Sequence, residues 1–143
     1  MKQLKIIVLL FALMTLTACP NLDYKKQFRF SNNSDVDVYI YMGRGLYPDT
    51  TIWGEVKVGV PFKQGETRYY SYNYENDLDT LCLFIFDADT FNMYEWEEIK
   101  NDYKILQRYD MTYEYIKALK YHITYPPDER MKDIKMFPPH IAE

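Results

Sequence analysis

Six consecutive apolar residues, Leu81-Cys82-Leu83-Phe84-Ile85-Phe86, are the feature that most constrains the fold of this 143-residue chain. Side chains alternate between the two faces of a β-strand, so this run would place apolar groups on both faces of a sheet. A strand of that kind is stable only when other structure covers it on each side. We therefore expect residues 81–86 to form a central strand of the core.

Cys82 lies within this run, and no basic residue adjoins it in the sequence. A thiol needs a nearby positive charge to become a reactive thiolate. The only other cysteine is Cys19. We therefore predict that Cys82 is an inert core residue and not a nucleophile.

Shorter segments with alternating polar and apolar residues precede the run. Residues 27–31 and 36–42 have this pattern, which is typical of strands with one buried face. The residues between them, Asn32-Asn33-Ser34-Asp35, are turn-forming types. This part of the chain therefore predicts a β-hairpin.

Another strand is predicted over residues 68–74, after the turn-forming Gln64-Gly65-Glu66. Alternation places three of its tyrosines on one face, namely Tyr70, Tyr72 and Tyr74. Aromatic residues make up 17% of the chain, and an exposed ring can stack on a sugar or anchor a protein partner. We name these tyrosines and Trp53 as candidate ligand contacts, with half-buried packing in a small β-domain as the alternative.

Short helical and strand patterns follow the apolar run. Thr90 or Asn92 is placed to cap a helix that runs to Ile99. Asp110 or Thr112 is placed to cap a second helical turn. Strands are predicted at residues 105–110, 122–125 and 134–137, and the last two end at proline pairs.

The pattern of elements predicts the fold class. Many short strands, few helices and no regular alternation of strand and helix favour a mainly β domain. We expect an antiparallel β-sandwich of immunoglobulin-like or transthyretin-like type with one or two short helical segments. A mixed α+β sheet is the alternative.

The first 18 residues have the pattern of an export signal. Lys2 and Lys5 precede an apolar run at residues 6–14, as in the charged and hydrophobic regions of a signal peptide. The stretch from Ile6 to Ala18 contains 13 residues, whereas a membrane-spanning helix needs about 20. We therefore predict a cleaved signal and not a transmembrane helix.

The next feature, Leu16-Thr17-Ala18-Cys19, resembles the lipobox of bacterial lipoproteins at every position. The resemblance implies cleavage before Cys19, a diacylglyceryl group on its sulfur and acylation of the new amine. Each buried methylene contributes roughly 0.8 kcal/mol, so these acyl chains would hold the protein to a membrane. The implied division is a signal at residues 1–18, a lipidated tether at 19–26 and one β-rich domain at 27–143.

Several segments also resemble small lipoproteins of the Bacteroidales. They are Tyr47-Pro48-Asp49-Thr50, Leu81-Cys82-Leu83-Phe84-Ile85-Phe86-Asp87, Leu106-Gln107-Arg108-Tyr109-Asp110 and Ile123-Thr124-Tyr125-Pro126-Pro127-Asp128-Glu129-Arg130-Met131-Lys132. The resemblance runs from about Phe28 to the C-terminus. It implies a location in the cell envelope, at the outer membrane, and no particular activity.

One segment resembles a catalytic motif. Asp87-Ala88-Asp89 after a buried strand is similar to the nucleophile motif of haloacid-dehalogenase-type phosphatases. That family has Thr or Val two places after the second aspartate, where this chain has Phe91. We interpret Asp87 and Asp89 as residues of a turn and helix cap.

Other sequence signals argue against several functional classes. The formal net charge is -4, which disfavours nucleic acid as a partner. His122 and His140 lack the paired spacing of a metal site, and no serine lies in a Gly-x-Ser-x-Gly elbow. We predict no metal, no cofactor and no catalytic activity. The expected function is a noncatalytic binding or structural accessory role with a protein or glycan partner; a glycan-binding lipoprotein is the alternative, and an enzyme ranks third.

Overall fold

The computed structural model describes residues 26–44, 59–72 and 80–139. These residues form seven strands and three short helices. In chain order the elements are β1 (Lys26–Asn32), β2 (Val38–Arg44), β3 (Thr67–Tyr72), β4 (Thr80–Asp87), α1 (Ala88–Met93), α2 (Trp96–Asn101), β5 (Gln107–Thr112), α3 (Tyr113–Ala118), β6 (His122–Tyr125) and β7 (Lys135–Phe137). A 3₁₀ turn at Glu129–Met131 lies between β6 and β7.

The strands form two sheets. The three-stranded sheet has the order β3-β1-β6, with β1 antiparallel to β3 and parallel to β6. The four-stranded sheet has the order β2-β4-β5-β7, and all of its neighbouring strands are antiparallel. Buried side chains of both sheets meet in one apolar cluster. The prediction of a mainly β sandwich with few helices is therefore confirmed.

The main core lies between the facing sides of the two sheets. Phe28 and Phe30 of β1 enter it from the three-stranded sheet, and Leu83 and Ile85 of β4 enter it from the four-stranded sheet. All four side chains are at most 1% exposed. Because full burial of one such side chain contributes about 1.5–3 kcal/mol, this contact is a main source of stability.

Strand β4 is covered on both faces, as its apolar run predicts. Cys82, Phe84 and Phe86 point away from the main core and form a second cluster with Ile99 of α2. The ring of Phe86 lies 5.4 Å from that of Phe91 in α1. Helices α1 and α2 thus form a third layer over the outer side of the four-stranded sheet.

The predicted β-hairpin is wrong in its pairing, although both of its segments are strands. Strand β1 pairs with β3 and β6, whereas β2 pairs with β4 in the other sheet. Buried Asn32 organises the crossing, because its Nδ2 donates to the carbonyl oxygens of Val36 and Phe62 at 2.8 and 3.2 Å. Its Oδ1 accepts hydrogen bonds from the backbone N–H and hydroxyl of Ser34. These side-chain bonds replace the backbone pairing of a hairpin.

Helix α1 begins earlier than predicted. Its cap is Asp87, whose Oδ1 accepts a hydrogen bond from the backbone N–H of Thr90 at 2.7 Å. Neither Thr90 nor Asn92 is therefore the cap. Extended backbone at Tyr94 and Glu95 then divides the single predicted helix into α1 and α2.

Helix α3 is capped by Thr112, one of the two predicted residues. Its hydroxyl accepts a hydrogen bond from the backbone N–H of Tyr115 at 3.4 Å. Asp110 forms an ion pair within β5 instead. Ile116 and Leu119 of this segment are buried, whereas Tyr115 is 40% exposed.

Other predicted elements are confirmed, β6 with the predicted ends and β5 and β7 with shifted ends. The turn after Gln64 places Gly65 at a φ of 73°, a backbone conformation that glycine adopts without steric cost. Strands β5, β6 and β7 correspond to the three strands predicted after the apolar run. No helix within the described ranges has the length and apolar character needed to cross a bilayer.

Candidate ligand-binding face

The outer side of the three-stranded sheet is polar. Alternation turns Phe28 and Phe30 into the core and directs the residues between them outward, together with their neighbours on β3 and β6. We call this surface the polar face and define it as Gln27, Arg29, Ser31, Thr67, Tyr69, Ser71 and His122. None of these seven side chains is aliphatic or acidic.

Three of the larger side chains form a row across the polar face. Arg29 is the register partner of Tyr69 on β3 and of His122 on β6. Adjacent strands lie about 4.8 Å apart, so the row is roughly 10 Å long. Tyr69 is 72% exposed, and Arg29 is also exposed. Within the described ranges, Arg29 forms no ion pair with a carboxylate.

A second row consists of hydrogen-bonded groups. The hydroxyl of Ser31 lies 2.7 Å from Oγ1 of Thr67 on one side and 2.9 Å from Nε2 of His122 on the other. These contacts link the side chains of β3, β1 and β6. At the end of the face, Gln27 donates to the hydroxyl of Ser71 at 3.4 Å. The surface therefore presents two separate groups of hydrogen-bonded side chains.

The electrostatic environment keeps His122 uncharged at neutral pH. Burial lowers the pKa of His122 below its usual value, and the positive charges of Arg29 and Arg130 lower it further. Asp128 acts in the opposite direction, but it is ion-paired with Arg130, whose Nε lies 3.1 Å from its Oδ1. A neutral imidazole can exchange hydrogen bonds with Ser31 or with a ligand.

The Ser31–His122 contact has the spacing of a nucleophile and its general base. Ser31 is only 6% exposed, however, and its hydroxyl is shared with Thr67. Among the described residues, no carboxylate hydrogen-bonds to His122 to orient its ring. The buried hydroxyl and the ring without a carboxylate partner are therefore poorly suited to acyl transfer, and Ser31 instead links the three strands.

Sequence reasoning did not find this face. Ser31 and His122 are 91 residues apart, and the parallel pairing of β1 with β6 brings them together. The available signal was that each occupies a polar position in an alternating strand. That pattern predicts an outward direction for each side chain but not which strands are neighbours.

Two of the predicted ligand-contact tyrosines are core residues. Tyr72 is 6% exposed, with its ring 5.5 Å from that of Phe28, and burial raises the pKa of its hydroxyl to about 12. Tyr70 is half-buried and stacks on Phe28 at 5.8 Å. The structure thus favours the packing alternative for both residues, because their face of β3 points into the sandwich, and ligand contact by these tyrosines stays a prediction. The exposed tyrosine of β3 is Tyr69, on the opposite face.

The environment of Cys82 differs in one respect from the prediction. Cys82 is 1% exposed and packs in the second apolar cluster, as predicted for a core residue. Its Sγ nevertheless lies 3.6 Å from Nη2 of Arg108, so a positive charge does adjoin the thiol. Arg108 is on the neighbouring strand β5, which the local sequence around Cys82 does not reveal.

The acidic pair after β4 has the geometry of a helix start. Asp87 uses its carboxylate to cap α1, as described above, and Asp89 is an exposed residue of the first turn. An acidic side chain in this position interacts favourably with the helix dipole. The interpretation of Asp87 as a capping residue is confirmed.

Among the residues that the structure describes, no three His, Cys, Asp or Glu side chains are grouped so that they could hold a metal ion. The candidate residues Cys19, Trp53, Tyr74 and His140 lie outside the described ranges, as do the signal segment and residues 47–50. No family model, curated protein or solved structure matches the chain. The interpretation of the polar face therefore depends on its own geometry.

Proposed function

We propose that the protein is a lipoprotein of the cell envelope, anchored in the outer membrane by acyl chains on Cys19, and that its sandwich is a noncatalytic binding or structural accessory domain. The observation that carries this proposal is Leu16-Thr17-Ala18-Cys19 directly after a basic and apolar segment. Strand β1 begins at Lys26, so a short segment separates the proposed anchor from the folded domain. The acyl chains can then enter the membrane while the domain remains in water.

The packing of the potentially reactive groups supports the noncatalytic part of the proposal. The Ser31 hydroxyl is mostly buried and links three strands, the Asp87 carboxylate caps a helix, and the Cys82 thiol lies in a core cluster. Each group thus has a structural role that accounts for its position. On the polar face, Arg29 and Tyr69 are exposed and have no such structural role among the described residues, which favours binding.

Acylation is tested by growing cells with an alkyne-bearing palmitate analogue and measuring label and membrane partition of the full chain. We expect Cys19→Ala to lose both the label and the membrane association. Cys82→Ala is the matched control, because the chain has only two cysteines and this variant keeps Cys19. Membrane retention of Cys19→Ala after a high-salt wash would contradict the proposal.

A second candidate function is glycan binding by the anchored domain. The observation that favours it is the position of Tyr69, a 72% exposed ring in a surface of hydroxyl, amide and guanidinium groups. Aromatic rings combine an apolar face with a polar edge and suit the faces of sugar rings. Loss of binding to a polysaccharide array in Tyr69→Ala, with binding kept in Tyr94→Ala, is the expected result. Equal binding by the two variants would exclude this use of Tyr69.

A further inference from the structure

We propose that the polar face binds a carboxylate-bearing glycan, with Arg29 contacting the carboxylate and Tyr69 stacking on a sugar ring. This inference rests on the glycan-binding candidate function and is independent of the acyl anchor. Beyond that candidate function, it names the chemical class of the glycan and the residue that recognises its carboxylate.

The charge of Arg29 favours an anionic ligand. Arg29 is exposed and has no carboxylate partner in the described parts of the chain. The seven residues of the polar face include no acid, and Asp128, which acts on His122 at its edge, is ion-paired with Arg130. The net charge of the chain, -4, does not favour an anion, so the attraction must come from the local charge of this face. An unpaired guanidinium in the centre of a face without acids is complementary to an anion. The planar fork of arginine matches the two oxygens of a carboxylate.

The arrangement of the row favours a ligand with both a ring and a carboxylate. Tyr69 and Arg29 are direct cross-strand partners, so the tyrosine ring and the guanidinium lie side by side. The row from Tyr69 to His122 is roughly 10 Å long, which accommodates two linked sugar rings. A ring stacked on Tyr69 would place a carboxylate of the same or the next sugar at Arg29. Nε2 of His122 is already 2.9 Å from the Ser31 hydroxyl, so the other ring nitrogen is the one left for a sugar hydroxyl.

The side chains around the row favour a ligand that carries hydroxyl groups. Serine, threonine and glutamine side chains surround the row, and they donate and accept hydrogen bonds as sugar hydroxyl groups require. A protein partner would instead favour a core of several aromatic and apolar side chains, and the polar face has a single aromatic besides histidine. A nucleic acid would need several cations for its phosphates, and Arg29 is the one uncompensated cation of this face.

The experiment measures binding of the full chain in detergent to polygalacturonate by isothermal titration calorimetry. Fully methyl-esterified polygalacturonate is the matched ligand, because it keeps the sugar rings but lacks the charges. We expect binding to the acid form to be at least about tenfold tighter and to weaken with added salt, as an exposed ion pair does. Polyglutamate, which carries carboxylates without sugars, tests for binding by charge alone.

Variants separate the two contacts. Arg29→Gln is expected to weaken binding of the acid form by about five- to tenfold and to leave binding of the ester unchanged. Tyr69→Ala is expected to weaken binding of both forms, whereas Tyr69→Phe keeps the ring and retains binding. Lys100→Gln and Tyr94→Ala are the controls, because they alter a charge and a ring on the helical layer. Unchanged melting temperatures show that the exposed substitutions leave the fold intact.

Several results would overturn the inference. Equal affinity for acid and ester, equal affinity for polyglutamate, or wild-type binding by Arg29→Gln would show that the polar face does not select a carboxylate on a sugar. Failure of the folded wild-type chain to bind polygalacturonate would also contradict the inference. Palmitate labelling of the same preparation reports separately on the anchored lipoprotein, and binding to neutral glycans reports separately on the glycan-binding candidate.

Discussion

Arg108 and Asp110 form an ion pair in the interior of the domain, with Nε of Arg108 2.6 Å from Oδ1 of Asp110 and the two side chains 3% and 8% exposed. The residues are two positions apart on β5, so both side chains point to the same side of the sheet. The guanidinium also lies 5.3 Å from the centroid of the Phe84 ring. A buried pair of this kind is expensive to break, because the remaining charge stays in a poorly solvated site.

Removal of one partner of this pair should strongly destabilise the domain. We expect Asp110→Asn to lower the free energy of unfolding by about 3–5 kcal/mol. The double variant Arg108→Met with Asp110→Leu should cost less than Asp110→Asn, because it removes both charges and keeps the volume. Urea unfolding of the variants measures these differences. A double variant less stable than Asp110→Asn would show that the charges themselves contribute net stability.

The hydroxyl of Tyr109 connects the two sheets. It donates a hydrogen bond to the backbone carbonyl of Thr124 at 2.9 Å, and the ring is fully buried. Tyr109→Phe should lower the free energy of unfolding by about 1–3 kcal/mol, since the carbonyl loses a partner in a dry site. Tyr69→Phe removes an exposed hydroxyl and should have an effect below about 0.5 kcal/mol. Equal effects in the two variants would argue against this link between the sheets.

Leu83 tests the central position of β4. Its side chain is 0% exposed between the two sheets, so Leu83→Ala should lower the free energy of unfolding by about 2–5 kcal/mol. Val60→Ala, at a 71% exposed position, is the control and should change stability by less than about 0.5 kcal/mol. Labelling of the Cys82 thiol gives a second measurement, because a reagent should reach it only after unfolding. Fast labelling of the native wild type would contradict the buried position of β4.

Substitutions of the α1 cap residue Asp87 should lower the free energy of unfolding by different amounts. Asp87→Ala should cost about 1 kcal/mol, because the N–H of Thr90 loses its acceptor. Asp87→Asn should cost less, since an amide oxygen can accept the same hydrogen bond. Asp89→Ala, at an exposed position of the first turn, is the control and should stay within about 0.5 kcal/mol. Magnesium-dependent phosphatase activity that Asp87→Asn abolishes, at an unchanged melting temperature, would instead indicate a catalytic aspartate.

His122 predicts a specific dependence of stability on pH. Its pKa in the folded state is lowered by burial, then by Arg29 and Arg130, with Asp128 opposing them. The unfolded chain therefore binds a proton more readily, and the free energy of unfolding should fall as the pH drops through about 6.5 towards the folded pKa. We expect this decrease between pH 7.5 and 5.5 to be smaller in His122→Gln. His140→Gln is the control and should show the same decrease as the wild type. Loss of the decrease in His140→Gln would show that His140, and not His122, causes it.

Local sequence determined the strands but not all of their partners. The apolar run at residues 81–86 specified a strand buried on both faces, because period-two alternation leaves no polar face to expose to water. The strand character of β1 and β2 followed from the same rule. Their pairing did not, because Asn32 and Ser34 can stabilise either a hairpin turn or a crossing between sheets.

The inward or outward direction of the tyrosines also required the tertiary structure. Alternation correctly grouped Tyr70 with Tyr72 on one side of β3 and Tyr69 on the other. It could not tell which side faces the second sheet, since both sides carry aromatic rings. The packing decides it: Tyr70 stacks on Phe28, the ring of Tyr72 packs against Phe28 at a tilt, and Tyr69 is exposed to solvent.

The lipobox resemblance and the apolar run could thus be read from the sequence alone, because each is a property of adjacent residues. The polar face could not, since its row joins Tyr69, Arg29 and His122 from three strands. The position of Arg108 beside Cys82 could not be read from the sequence either, because Arg108 lies on β5 and Cys82 on the neighbouring strand β4. Contacts between distant segments depend on which strands pair, and strand pairing is settled by burial of all the apolar faces together.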